Sequence, residues 1–212
     1  MPNTFDYRRF YDRLARIYAP MARLWWPYTA RALSWLPAQG PVLEIGPGPG
    51  YLLATMARRL PAVGVDLSWA MLCQARTRLA RAGVRAELVQ GDACALPFPS
   101  QSFQAVVLTF AFSAIPDGSR ALREVARVLA PGGRAVLVDA GIPDDRNPMA
   151  RGLARIWERF GAHMRDEPIL MARAGLQVMA REEFGPWRCM RVVVGHRPER
   201  PSPGLAGTGD RR

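Results

Sequence analysis

Val42-Leu43-Glu44-Ile45-Gly46-Pro47-Gly48-Pro49-Gly50 is the most informative segment of this 212-residue chain. Its first four residues are an apolar, β-favouring run with one charge, which predicts a short buried strand. Three alternate glycines follow, and Tyr51 to Leu60 is then predicted to be a helix. Glycine allows positive φ and lets a ligand approach the backbone, because it has no Cβ. A helix that begins after such a turn directs free N–H groups at that ligand.

A second predicted strand, Val63-Gly64-Val65-Asp66, ends in a carboxylate 16 residues after Gly50. A neighbouring parallel strand would present such an acid to the two hydroxyls of a ribose. The glycine spacing also argues against one class of enzyme. Tyr51 stands where the dinucleotide fingerprint has its third glycine, and this disfavours a nicotinamide or flavin dehydrogenase.

The remaining periodicity predicts alternating strands and helices. Ser68 is the expected N-cap of a helix from Trp69 to Ala82, which Gly83 ends. The further predicted strands are Val84–Gln90, Phe103–Phe110, Arg134–Val138, Leu176–Phe184 and Cys189–His196, and the further helices are Ser119–Leu129, Ala150–Phe160 and Glu167–Ala174. This order predicts a single α/β domain with a doubly wound, Rossmann-like, seven-stranded and mostly parallel sheet that ends in an antiparallel hairpin.

The segment before the first strand has its own pattern. Tyr7, Tyr11, Leu14 and Tyr18 form one stripe of a helix, and Pro20 is predicted to end or kink it. A second piece, from Met21 to Leu36, carries three tryptophans and two arginines. It is interpreted as a helical cover over the sheet and its ligand. Aromatic rings beside arginines also suit the headgroup region of a membrane, and the two interpretations are compatible.

The composition limits the class of protein. The formal net charge is +11, and every basic residue is an arginine. Such a charge suits nucleic acid, an anionic membrane surface or an acidic substrate, or it reflects codon usage alone. The three cysteines have no metal-binding spacing, so no metal site is expected, and a reduced compartment fits them best. With no signal peptide and no apolar run of about 18 residues, we expect a cytoplasmic protein that is soluble or peripheral on the inner membrane face.

Four segments then carry a resemblance to a known family. They are Leu43-Glu44-Ile45-Gly46-Pro47-Gly48-Pro49-Gly50, Gly64-Val65-Asp66-Leu67-Ser68, Gly91-Asp92-Ala93-Cys94-Ala95-Leu96-Pro97-Phe98 and Leu129-Ala130-Pro131-Gly132-Gly133, in that order. The chain resembles the class I S-adenosylmethionine-dependent methyltransferases, in the branch that methylates quinone precursors, phospholipids and other small molecules. The resemblance implies S-adenosylmethionine as cofactor, S-adenosylhomocysteine as product, and a small molecule or lipid as acceptor.

The same resemblance implies roles for particular residues. Asp66 would bind the ribose hydroxyls and Asp92 the adenine amino group, although Asp92 is also a candidate for an Asx turn. Glu44 would support the glycine turn or orient the amino end of the cofactor. The full set of expected cofactor-binding residues is Tyr11, Tyr18, Glu44, Gly46, Pro47, Gly48, Gly50, Asp66, Leu67, Ser68, Met71, Gly91, Asp92, Ala93, Phe110 and Phe112. For Met71 the alternative is helix packing, and for Tyr11 and Tyr18 it is a place in the core.

Methyl transfer mainly requires that the acceptor be held in line with the sulfonium. A base is needed only for a protonated nucleophile, and His163 is the expected candidate, with Tyr18 beside the methionine end of the cofactor. The alternative for His163 is a solvated position at a helix end. Asp139 and Asp166 are further candidates for the base.

The predicted organisation is a helical cap over residues 1–36, a cofactor-binding domain over 37–196 with a variable lid at 142–165, and a disordered tail at 197–212. The predicted activity is methyl transfer to a small-molecule or lipid acceptor, such as a phospholipid amine or an isoprenoid quinone precursor. The alternatives are an RNA or protein methyltransferase and a non-catalytic binding protein of the same fold. Thr109-Phe110-Ala111-Phe112 lacks the Asn- or Asp-Pro-Pro-aromatic run of nucleic-acid amino-methyltransferases, which disfavours nucleic acid as a partner. The oligomeric state is not predicted.

Overall fold

The computed structural model describes residues 6–145, 147–159 and 161–199. Its strands are β1 Val42–Ile45, β2 Ala62–Asp66, β3 Glu87–Gln90, β4 Phe103–Thr109, β5 Leu129–Ala140, β6 Gln177–Phe184 and β7 Met190–His196. The α-helices of this part are α1 Tyr7–Leu24, α2 Trp26–Thr29, α3 Tyr51–Met56, α4 Trp69–Ala82, α5 Gly118–Val128, α6 Pro148–Arg159 and α7 Glu167–Arg173. Most of the predicted disordered tail, with positions 1–5, 146 and 160, lies outside the described residues.

The seven strands form one sheet in the order β3-β2-β1-β4-β5-β7-β6. Strands β3, β2, β1, β4 and β5 are parallel, whereas β7 is antiparallel to both β5 and β6. The chain winds outward from β1 in one direction through β2 and β3, and then in the other through β4 and β5. Ligands bind at such a reversal, outside the carboxyl ends of the strands. The predicted seven-stranded α/β fold is confirmed.

The core consists of two apolar layers, one on each face of the sheet. Leu43, Val106 and Leu137 belong to one layer, and Val42 and Val107 belong to the other. All of β1 is buried, because a central parallel strand is covered on both faces by helices. Even Glu44 therefore lies in a buried strand, which makes its environment important for the site described below.

The N-terminal segment differs from its prediction. Helix α1 continues through Pro20 to Leu24, although proline lacks the N–H that an interior helical position would donate. The predicted second helix, from Met21 to Leu36, is instead the end of α1, the four-residue α2 and a 3-10 helix at Ala30–Trp35. No helix of the described part is both long and apolar enough to span a membrane.

Two strand boundaries also differ. β5 begins at Leu129, five residues before the predicted start, because Leu129 already pairs with Phe103. The pairing is then interrupted by a register shift and resumes at Arg134, opposite Ala105. The predicted turn at Pro131-Gly132-Gly133 is thus an irregular part of this strand, with Gly132 at a φ of 74°. At the other end of β4, Phe110 leaves the strand with a φ of 51°.

Candidate active site

A cavity of about 530 Å³ lies at the carboxyl ends of β1, β2 and β4. Its size is within the range of small-molecule sites, about 300–1,000 Å³. The turn after β1 forms its floor, and α1 crosses above it as a roof. Residues that line the cavity include Glu44, Gly46, Pro47, Gly48, Asp66, Leu67, Met71, Gly91, Asp92, Ala93 and Phe110, with Tyr11, Tyr18 and Trp25 from the roof.

The floor is a tight turn whose three glycines all have positive φ. The values are 70° at Gly46, 52° at Gly48 and 79° at Gly50. A Cβ on Gly46 would lie 2.7 Å from the Cβ of Ala111, and a Cβ on Gly50 would lie 2.9 Å from the Cα of Ala75. Glycine is therefore required here for conformation and for close packing of the backbone. The turn leads directly into α3, whose first N–H groups are at the same edge of the sheet.

Asp66 ends β2 at the side of this turn. Its carboxylate accepts hydrogen bonds from the backbone N–H groups of Gly48, at 3.1 Å, and Ser68, at 2.9 Å. Burial raises the pKa of Asp66 to about 6, although these backbone donors act in the opposite direction. An ionised carboxylate can accept about four hydrogen bonds, so Asp66 retains acceptor capacity toward the cavity.

Glu44 is 1% exposed, and its Oε2 atom has no hydrogen-bond partner in the described part of the chain. A hydrogen bond from the backbone N–H of Leu53 in α3 acts to lower the pKa of Glu44. Burial, followed by the charge of Asp66, raises the pKa of Glu44 to about 8. An unpartnered buried carboxylate is costly, and a bound cation would relieve that cost.

Asp92 lies on the opposite wall, after β3. Its Oδ1 accepts from the N–H of Cys94 at 2.8 Å, which is the Asx turn considered from the sequence. Asp92 also lines the cavity, together with Gly91 and Ala93. The turn and a role toward a ligand are thus compatible, because a carboxylate has a second oxygen.

The roof presents aromatic side chains. Tyr18 lies over the turn, with its Cε1 atom 3.7 Å from the position of a Cβ on Gly48. The rings of Tyr11 and Tyr18 meet edge to face with centroids 6.3 Å apart, and those of Trp25 and Phe110 are 5.0 Å apart. Burial raises the pKa of Tyr18 to about 12 and also raises that of Tyr11. Both phenols are therefore neutral near pH 7.

Similarity to known proteins agrees with this geometry. A family model described as a methyltransferase domain matches residues 42–133. A ubiquinone/menaquinone biosynthesis C-methyltransferase of Syntrophotalea carbinolica is 32% identical over 165 residues, which are 73% of this chain and 68% of that protein. The chain belongs to the S-adenosylmethionine-dependent methyltransferases.

Other members of the family are similar over shorter spans. A demethylmenaquinone methyltransferase of Thermus thermophilus is 37% identical over 132 residues, 61% of this chain and 60% of that protein. A phosphatidylethanolamine N-methyltransferase of Cereibacter sphaeroides is 37% identical over 129 residues, 58% of this chain and 63% of that protein. The chain therefore covers less than two thirds of either relative. A solved S-adenosylmethionine-dependent methyltransferase of Thermotoga maritima shares the fold, with a TM-score of 0.70, 20% identity and coverage of 90% of this chain and 99% of that one.

Four residues predicted for this methyltransferase site are not among those that line the cavity. Ser68 is buried between α4 and α1, where its hydroxyl donates to Asp12. Phe112 is 1% exposed and lies in the apolar core. Gly50 is the N-cap of α3, packed against α4. His163 is exposed.

The contacts of His163 explain its position. Its backbone N–H donates to the carbonyl of Ser113 at 2.7 Å, and its Nε2 lies 3.0 Å from the Tyr7 hydroxyl. That hydroxyl also donates to the carbonyl of Gly161 at 2.8 Å. The histidine tautomer decides which partner donates in the bond between Nε2 and the Tyr7 hydroxyl. His163 thus joins α1 to the loop after α6 through its side chain.

The two acids considered as alternative bases have structural partners. Asp139 is 4% exposed and accepts from the backbone N–H and the hydroxyl of Ser113, both at 2.8 Å, and from the N–H of Ala140. Asp166 accepts from the N–H of Ile169 as the N-cap of α7. Neither acid is among the residues that line the cavity.

Trp25 is the main cavity residue that the sequence prediction missed. Tyr11 and Tyr18 are seven residues apart and share one face of α1, and Trp25, after another seven residues, is the C-cap of that helix. The signal was present in the sequence, but Pro20 was expected to interrupt the helix before Trp25. The structure shows that α1 passes through the proline, so that its C-cap residue Trp25 lines the cavity together with Tyr11 and Tyr18.

Proposed function

We propose that this chain transfers a methyl group from S-adenosylmethionine to a lipid or other small acceptor. Examples of such an acceptor are a phospholipid amine and an isoprenoid quinone precursor. The observation that carries the proposal is the pair of acids in one cavity. Glu44 has an unpartnered buried oxygen, and Asp66 has spare acceptor capacity at the end of the next strand. A zwitterionic nucleoside supplies an ammonium group and a ribose diol, which are the partners that these two acids lack.

The residues around the cavity would divide the cofactor between them. Asp66 would accept from the ribose hydroxyls and Asp92 from the adenine amino group. Glu44 would accept from the ammonium group, and the turn at Gly46 and Gly48 would bring backbone close to the amino-acid portion. When bound, the cofactor supplies a sulfonium with an activated methyl group. Proximity and orientation of an acceptor are worth roughly 7–11 kcal/mol in favourable cases.

The aromatic roof supports an apolar acceptor. Tyr11, Tyr18, Trp25 and Phe110 line the cavity above the floor with aromatic rings, and neither phenol is ionised near pH 7. No histidine lines the cavity within the described residues. This chemistry suits a nucleophile that arrives unprotonated, such as a free amine or an electron-rich ring carbon. The printed names of the relatives include both an N-methyltransferase and C-methyltransferases.

Two measurements test the proposal. Calorimetry with S-adenosylhomocysteine should show binding at micromolar concentrations, and no binding would overturn it. Turnover with labelled S-adenosylmethionine should then be measured on phosphatidylethanolamine vesicles, a demethylmenaquinol and a structured RNA. Methylation of a lipid or quinol is expected, whereas methylation of RNA alone would exclude the proposed acceptor class.

A peripheral membrane contact is the second part of the proposal. Helix α6 buries Ala150 and Ala154 but leaves Met149 and Ile156 59% and 52% exposed. Its three arginines, at positions 151, 155 and 159, are also exposed. This pattern, in a chain of net charge +11, is typical of a helix that lies in the interface of an anionic membrane. The helix packs on the aromatic cluster of Trp25 and Phe110, which borders the cavity.

Co-sedimentation with vesicles tests this contact. The protein should bind phosphatidylglycerol-containing vesicles more than phosphatidylcholine vesicles, and Met149→Ser with Ile156→Ser should reduce that binding. Ile169→Ser on α7 is the matched control, because Ile169 is 49% exposed and lies outside this surface. Equal binding by the double variant and the wild type would exclude α6 as the contact.

A further inference from the structure

Helix α1, which forms the roof of the cavity, is hydrogen-bonded to the start of α4. Asp12 of α1 accepts hydrogen bonds through its Oδ1 from the hydroxyl of Ser68, at 2.5 Å, and from the N–H of Ala70, at 3.4 Å. One turn further along α1, the carbonyl of Ala15 accepts from the side-chain amide of Gln74. These bonds join α1 to the first two turns of α4, and α4 begins directly after the strand that ends in Asp66.

Ser68 has partners on both sides of this junction. Its backbone N–H donates to Asp66 Oδ1 at 2.9 Å, while its hydroxyl donates to Asp12. The same hydroxyl oxygen accepts from the N–H of Met71, which orients it as the N-cap of α4. Ser68 is 1% exposed, so water does not compete for these bonds. A continuous chain of hydrogen bonds thus runs from the cavity acid Asp66, through Ser68, to Asp12 in the roof.

Asp12 also determines where the roof residues lie. It follows Tyr11 directly and precedes Tyr18 by six positions, and both tyrosines line the cavity. A helix is rigid over this distance, so a displacement at Asp12 moves both rings relative to the floor. Tyr18, whose ring is next to Gly48, would move away from the turn. The acceptor side of the cavity therefore depends on the Asp12 contact.

We propose that Asp12 is a positioning residue that couples occupation of Asp66 to the docking of α1. The inference rests on the proposed cofactor site. Ribose hydroxyls bound to Asp66 hold its carboxylate in place, and the carboxylate holds the loop of Ser68, to which α1 is attached. A nucleoside bound at Asp66 would therefore stabilise the docked position of α1 that the bonds of Asp12 define, and with it the aromatic roof.

Hydrogen exchange on the full chain, with and without S-adenosylhomocysteine, tests this coupling. In the wild type, the ligand should slow exchange in α1 by at least about tenfold, as well as in residues 46–50. Asp12→Ala should keep the protection of residues 46–50 and lose the ligand-dependent part in α1. Asp12→Asn, which keeps an acceptor oxygen, should behave as the wild type. Arg13→Ala is the matched control, because Arg13 is the exposed next residue of the same helix.

The outcomes separate coupling from simple stabilisation. If Asp12→Ala speeds hydrogen exchange in α1 equally with and without ligand, Asp12 is only a structural contact and the inference is wrong. If the ligand protects residues 46–50 but never α1 in the wild type, the inference is also wrong, while the proposed function stands. Absence of any protection at residues 46–50 would instead contradict the proposed cofactor site.

A second variant covers the case in which Asp12→Ala does not fold. Ser68→Ala removes the hydroxyl but keeps the backbone N–H that bonds to Asp66. It should cause the same selective loss in α1. In steady-state kinetics, both variants should raise the KM for the acceptor at least about tenfold. Because coupling is reciprocal, both variants should also weaken binding of S-adenosylhomocysteine. An unchanged affinity for that ligand would contradict the coupling.

Discussion

The floor and the roof of the cavity are built by different means. The floor is backbone: three glycines with positive φ, and N–H groups that bond to Asp66. The roof consists of side chains, namely the aromatic rings of α1 and of its C-cap residue that line the cavity. A backbone-built wall demands particular residues at particular positions, because residues with a Cβ adopt positive φ only at a cost in free energy. A wall of side chains demands only a helical stripe, which many helices have. The floor is therefore expected to tolerate substitution poorly and the roof to be adaptable.

The largest effect is expected at the acid of the floor. Asp66→Ala removes the acceptor for the ribose and for two backbone N–H groups, and hydrogen bonds to charged groups are worth about 1.5–3 kcal/mol each. Affinity for S-adenosylhomocysteine should fall by about 100-fold or more in calorimetry. Asp92→Ala, which removes one acceptor on the opposite wall, should lose about tenfold. An unchanged affinity for Asp66→Ala would show that the ligand does not use the floor.

The second effect contrasts the stability cost of substituting a glycine of the floor with that of substituting a glycine of α6. Gly50→Ala combines positive φ with a Cβ placed 2.9 Å from Ala75, and it should lower the free energy of unfolding by about 2–4 kcal/mol. Gly152→Ala, inside α6 with nothing near the added Cβ, should raise it by about 0.5–1 kcal/mol. Urea unfolding measures both.

Gly83→Ala is the control for this pair. Gly83 has a φ of 65°, but nothing lies within 4 Å of an added Cβ. Its cost should be about 1–2 kcal/mol, the part that comes from backbone strain alone. If Gly50→Ala cost no more than Gly83→Ala, close packing of the floor against α4 would not be important.

The third effect is a pH dependence of the free energy of unfolding, and it is due to Glu44. Its pKa is about 8 in the fold against an ordinary value of 4.5, so the folded state binds more protons than the unfolded state between these values. Stability without ligand should therefore be full below pH 4.5 and decrease as pH rises toward 8, by up to about 1.4 kcal/mol per pH unit. Asp66 and Asp139, with pKa values of about 6, contribute mainly below pH 6.

Urea unfolding of Glu44→Gln at pH 6, 7 and 8 isolates this group. The variant should lose most of the slope in this window, whereas Glu87→Gln, at an exposed strand position, should keep it. Saturating S-adenosylhomocysteine should also flatten the wild-type slope, because an ammonium group favours the ionised carboxylate. A wild-type slope retained in Glu44→Gln would mean that another group is responsible.

The smallest effect, a change in turnover, is expected at His163, which belongs to neither the floor nor the roof. His163→Ala should change turnover less than about threefold, since a positioned general base contributes about 100-fold or more and His163 does not line the cavity. A loss of 100-fold with unchanged affinity for S-adenosylhomocysteine would restore His163 as the base. Tyr7→Phe, which removes the hydroxyl partner of His163 but keeps the ring that lines the cavity, tests the structural contact.

The parts that sequence reasoning predicted well are those with local signals. Helix α4 runs from Trp69 to Ala82 as expected, with Ser68 as N-cap and Gly83 at positive φ. The glycine turn and Asp66 also lie where the strand pattern indicated. The extent of α1 was harder to predict, because a proline inside a helix is tolerated only when surrounding contacts hold the flanking turns. Those contacts come from α4 and from the aromatic cluster, far away in sequence.

The chain alone determined the strands, the glycine turn and the two acids, Glu44 in β1 and Asp66 at the end of β2, because caps, breakers and apolar periodicity act within a few residues. Only the tertiary structure decided which side chains face the cavity. Ser68 turns its hydroxyl to Asp12, 56 residues away, and Glu44 retains an unpartnered oxygen. His163 is held outside by Tyr7. These outcomes depend on how distant segments pack, and short-range sequence signals do not specify that packing.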